Sequence, residues 1–362
     1  MKTPFKIALI IFILFMLLVI LLPAVIDLSG YKGKIEGFIS ESLGREVTIK
    51  KIRLSILKGI GVEMKEIRVG KDPDLIHMES MMIKVSLLPL LKGRVEMTGV
   101  LMQNVRIFFP KDPVEKKEEG NERKIIISRL YLPLTSLSSR LTEFKRFKAE
   151  LYKGSLLGDL RVEKKEDVSY NLVHNIEKVE LEQLIKNALS QSTGSSGKVT
   201  ISGPLKLDGN LKGIGNNLER LEGSGTINVG KGKIKGIEIT DIIGSIGIVT
   251  TKRHISLTDF DRITGHYSIE GGYLKTEDLE MFGKDLYLKA RGSYGLVNSR
   301  LDFLVKGHVI DIPVEIKIEG TSSNPKYYLK TRGIEKKVIE GLGKGKIEKK
   351  EINEVLKGIF KK

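Results

Sequence analysis

The sequence predicts an all-β dominated protein, an elongated, curved antiparallel sheet forming a groove or taco-like half-barrel, with one N-terminal transmembrane helix and a few short amphipathic helices. Three observations predict it. Apolar residues alternate with charged ones in run after run from Val47 to Thr331, the period of a strand with one apolar face. The 362 residues include 38 Gly but no Trp and only 10 Pro, which favours tight turns between short strands over a helical core. One uncharged run, Ile7 to Ile26, is long enough at ~1.5 Å per residue to cross a hydrocarbon core of ~30 Å.

Residues 1–6 are expected to be a cytoplasmic tip and residues 7–26 the anchor. Lys2 and Lys6 precede the apolar run and Asp27 follows it, the charge bias of a helix inserted with its N-terminus in the cytoplasm. A cleaved signal peptide is the competing reading; the run is long for one and PAVIDLSG offers no A-x-A site. The body is therefore expected in an extracytoplasmic space, held at the membrane by a single span.

Residues 27–109 begin with Tyr31, Ile35, Phe38, Ile39 and Leu43 at helical spacing, closed by Gly44. The period then becomes two, in Val47/Ile49, Ile52/Leu54/Ile56 and Ile60/Val62/Met64, which predicts hairpins continuing to Phe109. Residues 110–124 hold five basic and five acidic side chains without apolar periodicity, a charged exposed loop. Residues 125–190 are a middle β segment with a short helix marked by Val179, Leu181, Leu184, Ile185 and Leu189. Residues 191–198 are a Ser/Gly connector. Residues 199–332 show the most regular alternation of the chain. Residues 333–362, with nine Lys against five Glu and Ile352, Val355, Leu356, Ile359 and Phe360 on one helical stripe, predict a basic amphipathic helix, for a membrane surface, a partner, or the last strands.

Roughly twenty strands at ~4.8 Å each would make an open sheet about 95 Å long. With so few helices, the apolar face must be hidden by closure into a barrel or sandwich, by curling of the sheet, or by acyl chains lying in a groove. The best lining candidates are Ile227, Val229, Leu286, Leu288, Leu301, Phe303, Val305, Val314, Ile316 and Ile318, whose charged neighbours should face water.

Charge and motifs narrow the function classes. The formal charge is +16, from 61 basic and 45 acidic residues. The two signs are interleaved and no basic stripe carries aromatics, so an anionic phospholipid surface suits the excess better than nucleic acid. Without Cys, disulfides, thiolate metal sites and cysteine nucleophiles are excluded. Gly225 to Lys231 satisfies G-x-x-x-x-G-K, but Gly232 stands where a phosphate loop needs Ser or Thr, and Ile227 and Val229 alternate as in a strand. Ser195 and Lys198 match a serine–lysine spacing inside the connector, without partner motifs. His77, His174, His254, His266 and His308 form no metal-binding spacing. Asp259 and Asp261 flank Phe260 in a strand-like run and fit a solvated face better than an acid–base pair. No catalytic residue, metal site or cofactor is therefore expected.

Two regions together resemble the AsmA-like family of bacterial envelope proteins. The first is the anchor followed by YKGKIEGFISESLGREVTIKKIRLSILKGIGVEMKEIRV and LLPLLKGRVEMTGVLMQNVRI. The second comprises VELEQLIKNAL, LKLDGNLKGIGNNLERLEGSGTINVGKGKIKGIEI, FDRITGHYSIEGGYLKTEDLEMFGKDLYLKARGSYGLVNSRLDFLVKG and IPVEIKIEGTSSNPKYYLK. The resemblance implies an inner-membrane-anchored periplasmic protein, similar to larger bridge-like proteins whose repeating β-grooves carry phospholipid, with a role in outer-membrane maintenance. It supplies no catalytic motif. Phospholipids and the inner membrane are the partners it implies, with outer-membrane or envelope proteins beside them. The competing readings are an assembly factor that pairs its strands with outer-membrane proteins and a scaffold with a dry core.

Overall fold

The computed structural model describes residues 28–56, 59–70, 75–92, 94–109, 123–188, 200–235, 259–309, 312–322 and 324–330. The anchor, the connector and the C-terminal helix of the sequence reading lie outside them. Among the described residues no helix is long and apolar enough to cross a membrane. The chain folds as two compact units, one of residues 1–164 with 187–190, the other of residues 165–186 with 191–362.

The first unit opens with helix α1 (Lys32–Leu43), ended by Gly44 at φ +61°, a left-handed conformation that glycine adopts without steric cost. Seven antiparallel strands follow in sequence order: β1 (Val47–Ser55), β2 (Gly61–Val69), β3 (Ile76–Val85), β4 (Met97–Phe108), β5 (Lys124–Leu137), β6 (Leu141–Leu151) and β7 (Gly154–Lys164), with the short helix α2 (Leu87–Leu91) between β3 and β4. Lys124, read as the end of the charged loop, is thus the first residue of β5, because it pairs with Phe108.

The apolar spacing read as separate hairpins has a different cause. Ile49 and Ile52 belong to one strand whose apolar side chains step by three instead of two. The same step occurs at Met64/Ile67, Met78/Met81, Met102/Val105 and Ile127/Leu130, and these pairs stand opposite one another across β1 to β5. Glu66 and Asn104 take φ of +48° and +50° at that level. Because every strand loses phase at the same height, the register survives and one face stays apolar. Val47, Ile49, Ile52, Met64, Ile67, Val69, Met78 and Val105 form its buried centre, with Ile35 and Ile39 of α1 packed against it.

α1 also closes the free edge of β1. The amide of Val47 donates to Ser40 Oγ at 2.9 Å and that of Ile49 to Glu36 Oε1 at 2.6 Å. Side chains of a helix thereby take edge N–H groups that would otherwise template another strand.

The second unit holds β8 (Val168–Glu180), helix α3 (Leu181–Ala188), β9 (Thr200–Ile201), β10 (Pro204–Ile214), β11 (Glu222–Val229), β12 (Gly232–Lys235), β13 (Asp259–Phe260), β14 (Arg262–Glu270), β15 (Tyr273–Gly283), β16 (Leu286–Gly295), β17 (Arg300–Val309), β18 (Ile312–Thr321) and β19 (Asn324–Lys330). Val179, assigned to the helix from spacing, is the buried end of β8, opposite Leu205. β8, β10, β11 and β14 to β19 form one open antiparallel order, while β13, β12 and β9 make a small separate sheet. That small sheet buries Phe260 against Gly232, where a Cβ would meet Ser202 O at 1.9 Å and Phe260 Cζ at 2.7 Å. The described chain is accordingly all-β with large antiparallel sheets, none of them closed.

Candidate functional site: an apolar sheet face ruled into ranks

In an antiparallel sheet, residues directly opposite each other point to the same face. Following the pairing through the second unit sorts its inward side chains into ranks running across the strands. One rank is Val179, Leu205, Val229, Ile263, Met281, Leu288, Gly307 and Val314. The next contains Leu207, Ile227, Gly265, Ala290, Val305 and Ile316. Farther along, Leu211, Gly223, Ile269, Leu274, Tyr294, Leu301 and Gly320 form another. All ten lining candidates fall on this face. Val229, Leu286 and Val314 are buried, while Ile227, Leu288, Leu301, Phe303, Val305, Ile316 and Ile318 are half-buried.

The opposite face carries the charges, and they pair across strands. Lys289 Nζ lies 3.3 Å from Glu280, Lys306 Nζ 3.3 Å from Glu315, and Lys317 bonds Asp302 and stands 3.7 Å from Glu319. Asp302 holds the Lys317 ammonium above its ordinary range through that hydrogen bond. On the same side His266 grips Asp278 twice, through its backbone N–H at 2.8 Å and its ring Nδ1 at 2.6 Å, which keeps the Asp278 carboxyl below its ordinary range. The two faces thus differ in chemistry, with the cross-strand ion pairs on one and the aliphatic ranks on the other.

Between the aliphatic ranks runs one of another kind: His174, Gly209, Gly225 and Tyr267, then Thr276, Gly292, Phe303 and Ile318. The regular pairing of β14 with β15 ends at Ser268–Lys275, and Tyr267 and Thr276 are the residues that follow it on the two strands, at the bulge. The tyrosine lies over the two glycines, since a Cβ on Gly209 would meet Tyr267 Oη at 2.4 Å and one on Gly225 its ring at 2.8 Å. Its hydroxyl reaches His174 Nε2 at 3.2 Å. His174 is only 6% exposed. Burial lowers its pKa and raises that of Tyr267, so at neutral pH both are uncharged. Sequence reasoning named Phe303 and Ile318 of this rank but not His174, Tyr267 or Thr276, because its members are separated by up to 144 positions and only the pairing aligns them.

The motifs set aside from sequence take structural places. Gly225 to Lys231 is the end of β11 and the turn into β12. Asp259 of β13 sits 3.2 Å from Lys233 Nζ, an ion pair between neighbouring strands. Ser195 and Lys198 lie outside the described residues. In the first unit an open pocket of about 630 Å³ is lined by Tyr131, Pro133, Thr135, Lys145, Arg146 and Asp159. There Arg146, at φ +53°, donates its backbone N–H to Asp159 Oδ1 at 2.7 Å, which satisfies the bulge and leaves mixed charges at the rim.

No curated protein and no solved structure gives a significant match to the chain. The family model described as the AsmA family matches residues 1–112 and 121–279, about three quarters of the sequence, and spans both units. The chain belongs to the AsmA family.

Proposed function

We propose that this protein binds phospholipid acyl chains along the apolar face of its second unit, which serves as an open groove, and takes part in lipid transport between inner and outer membranes and in outer-membrane maintenance. The observation that carries the reading is the alignment of aliphatic ranks across eight strands with no described helix laid over them. A half-buried aliphatic rank is a poor surface for water and a good one for a methylene chain, at ~0.8 kcal/mol per CH₂ transferred. Sheltering most of one acyl chain therefore offsets its extraction from a bilayer without nucleotide chemistry. Membership of the AsmA family is consistent with work in the envelope. In this reading the protein is a binder rather than an enzyme, held at the inner membrane by residues 7–26 with its body in the periplasm.

The rival reading, strand pairing with outer-membrane proteins, needs a free sheet edge. Ser40 and Glu36 occupy the β1 edge at Val47 and Ile49, which favours lipid over strand addition there. Native mass spectrometry of the full chain, released from detergent, tests the proposal. Retained phospholipid at defined stoichiometry is the expected result, and a lipid-free chain after gentle release would overturn it.

A further inference from the structure

Among the described residues the buried side-chain atoms His174 Nδ1 and Thr276 Oγ1 find no hydrogen-bond partner, and both stand in the polar and glycine-rich rank of the apolar face. A buried polar atom left without a partner is costly, and native chains rarely keep one without a use. Here the pair recurs in one rank.

We propose that His174, oriented by Tyr267, is a hydrogen-bonding station for the acyl-carbonyl oxygen of a lipid that enters this face and parts the side chains closing His174 Nδ1 and Thr276 Oγ1 from solvent, and that Thr276 is a second such station. The inference rests on the acyl-chain reading above and names the polar group that the face recognises. The station requires the tautomer in which Tyr267 O–H donates to His174 Nε2 across their 3.2 Å contact and the ring proton stands on Nδ1 as a donor. The rows beside it are aliphatic, so the group accepted must be attached directly to an apolar chain. A phosphate or ammonium headgroup would need counter-charges, and the ion pairs of this sheet lie on its other face. A carbonyl oxygen is uncharged, takes one or two donors, and sits at the head of every acyl chain. The glycines support the assignment. Gly209 and Gly225 leave room for the Tyr267 ring to lie flat, so the hydroxyl can cross from β14 to β8. β8 and β15 are four strand steps apart, about 19 Å at ~4.8 Å per step, so the two stations serve separate carbonyl groups.

The shared chemistry has two sources, the ester of a phospholipid and the carboxyl of a free fatty acid. The full chain, purified in a detergent without carbonyl groups, is loaded either with dioleoylphosphatidylethanolamine carrying ¹³C at both ester carbonyls or with carboxyl-¹³C oleic acid. Isotope-edited infrared spectroscopy then reads the labelled carbonyl stretch. With at least one lipid, the expected result is a component at lower frequency than in detergent micelles, weakened in His174→Leu and in Thr276→Val and lost in the double variant. Each variant should bind lipid about two- to tenfold more weakly, the worth of one hydrogen bond. The lipid that shows the component identifies the source. Wild-type chain that retains both lipids with unshifted carbonyls overturns the stations alone, as does a shift that survives in folded double variant. Wild-type chain that retains neither overturns the acyl-chain reading and the stations with it. Should His174→Leu fail to fold by circular dichroism, the near-isosteric Thr276→Val decides, since an unchanged spectrum there overturns the second station and the proposal as stated.

Discussion

Replacing Ile316 with Asp separates a lipid-bearing face from a dry core. Ile316 is half-buried on β18, paired with Val305 on β17. Full burial of an isoleucine side chain contributes about 1.5–3 kcal/mol, so the lost half is worth roughly 1 kcal/mol. An unpartnered carboxylate held against apolar groups adds about 1–3 kcal/mol on mutational scales. Where the face is wet, water solvates the carboxylate and only the first cost applies. Where acyl chains cover it, both apply. The lipid-filled state of Ile316→Asp should therefore lose about 2–4 kcal/mol and the empty state about 1 kcal/mol. The difference, about 1–3 kcal/mol, weakens lipid binding roughly 5- to 150-fold.

The control is the adjacent Lys317→Glu on the charged face. It removes an exposed ion pair with Asp302 and sets like charges together, about 0–1 kcal/mol in either state after solvent screening. Thermal unfolding of each variant with and without added phospholipid, together with a photoreactive residue placed at 303, 316, 302 or 317, reads both quantities. We expect crosslinks to lipid from 303 and 316 and loss of lipid-dependent stabilisation in Ile316→Asp. Equal crosslinking from 302 and 317 would refute the one-sided face. An Ile316→Asp chain that no longer folds even without lipid would refute the open groove and indicate a dry core.

Three further outcomes follow from the geometry. Ser40→Ala and Glu36→Ala should cost about 0.5–1.5 and 1.5–3 kcal/mol, a neutral and a charged acceptor respectively, and hydrogen exchange should quicken at the Val47 and Ile49 amides; unchanged protection at both would mean that α1 does not guard the edge. Burial holds the His174 pKa below 6.5, so the unfolded chain takes up a proton first and stability falls as pH drops from 6.5 through the folded value; the difference in melting temperature between wild type and His174→Leu should track that window and be flat above it. Phe109 N–H donates to Arg123 O at 3.0 Å, so the ends of the charged segment already meet, and replacing residues 111–121 by a short Gly/Ser turn should leave thermal stability nearly unchanged; a loss of cooperative unfolding would make that segment structural.

Much of this fold was legible because strand alternation is a local signal. Leu301, Phe303 and Val305 announce their common face within five residues, and Asp302 and Lys306 announce the other. Two features were not legible for the same reason. The step of three at Ile49/Ile52 resembles a strand boundary until the partners Met64 and Ile67 show the same step at the same height. Val179 continues a helical spacing into Leu181 and Leu184, yet the ladder to Leu205 holds it in the sheet, since pairing outweighs intrinsic spacing. The site divides likewise. Its aliphatic members were found one strand at a time, whereas His174, Tyr267 and Thr276 acquire meaning only from register.

Register is also what lets an apolar face survive with no described helix over it. A slip of one residue would turn Phe303, Val305 and Ile316 outward together and bring Asp302, Lys306 and Lys317 inward. Each ion pair across β15 to β18 opposes that slip, because Lys289 meets Glu280 and Lys306 meets Glu315 only in the native register. Singly such exposed pairs contribute little to stability, but a slipped register would forfeit all of them while burying their charges, which is far costlier. The charged face therefore acts on specificity. It fixes which side chains reach the apolar side, and with them the place of the rank that holds His174, Tyr267 and Thr276.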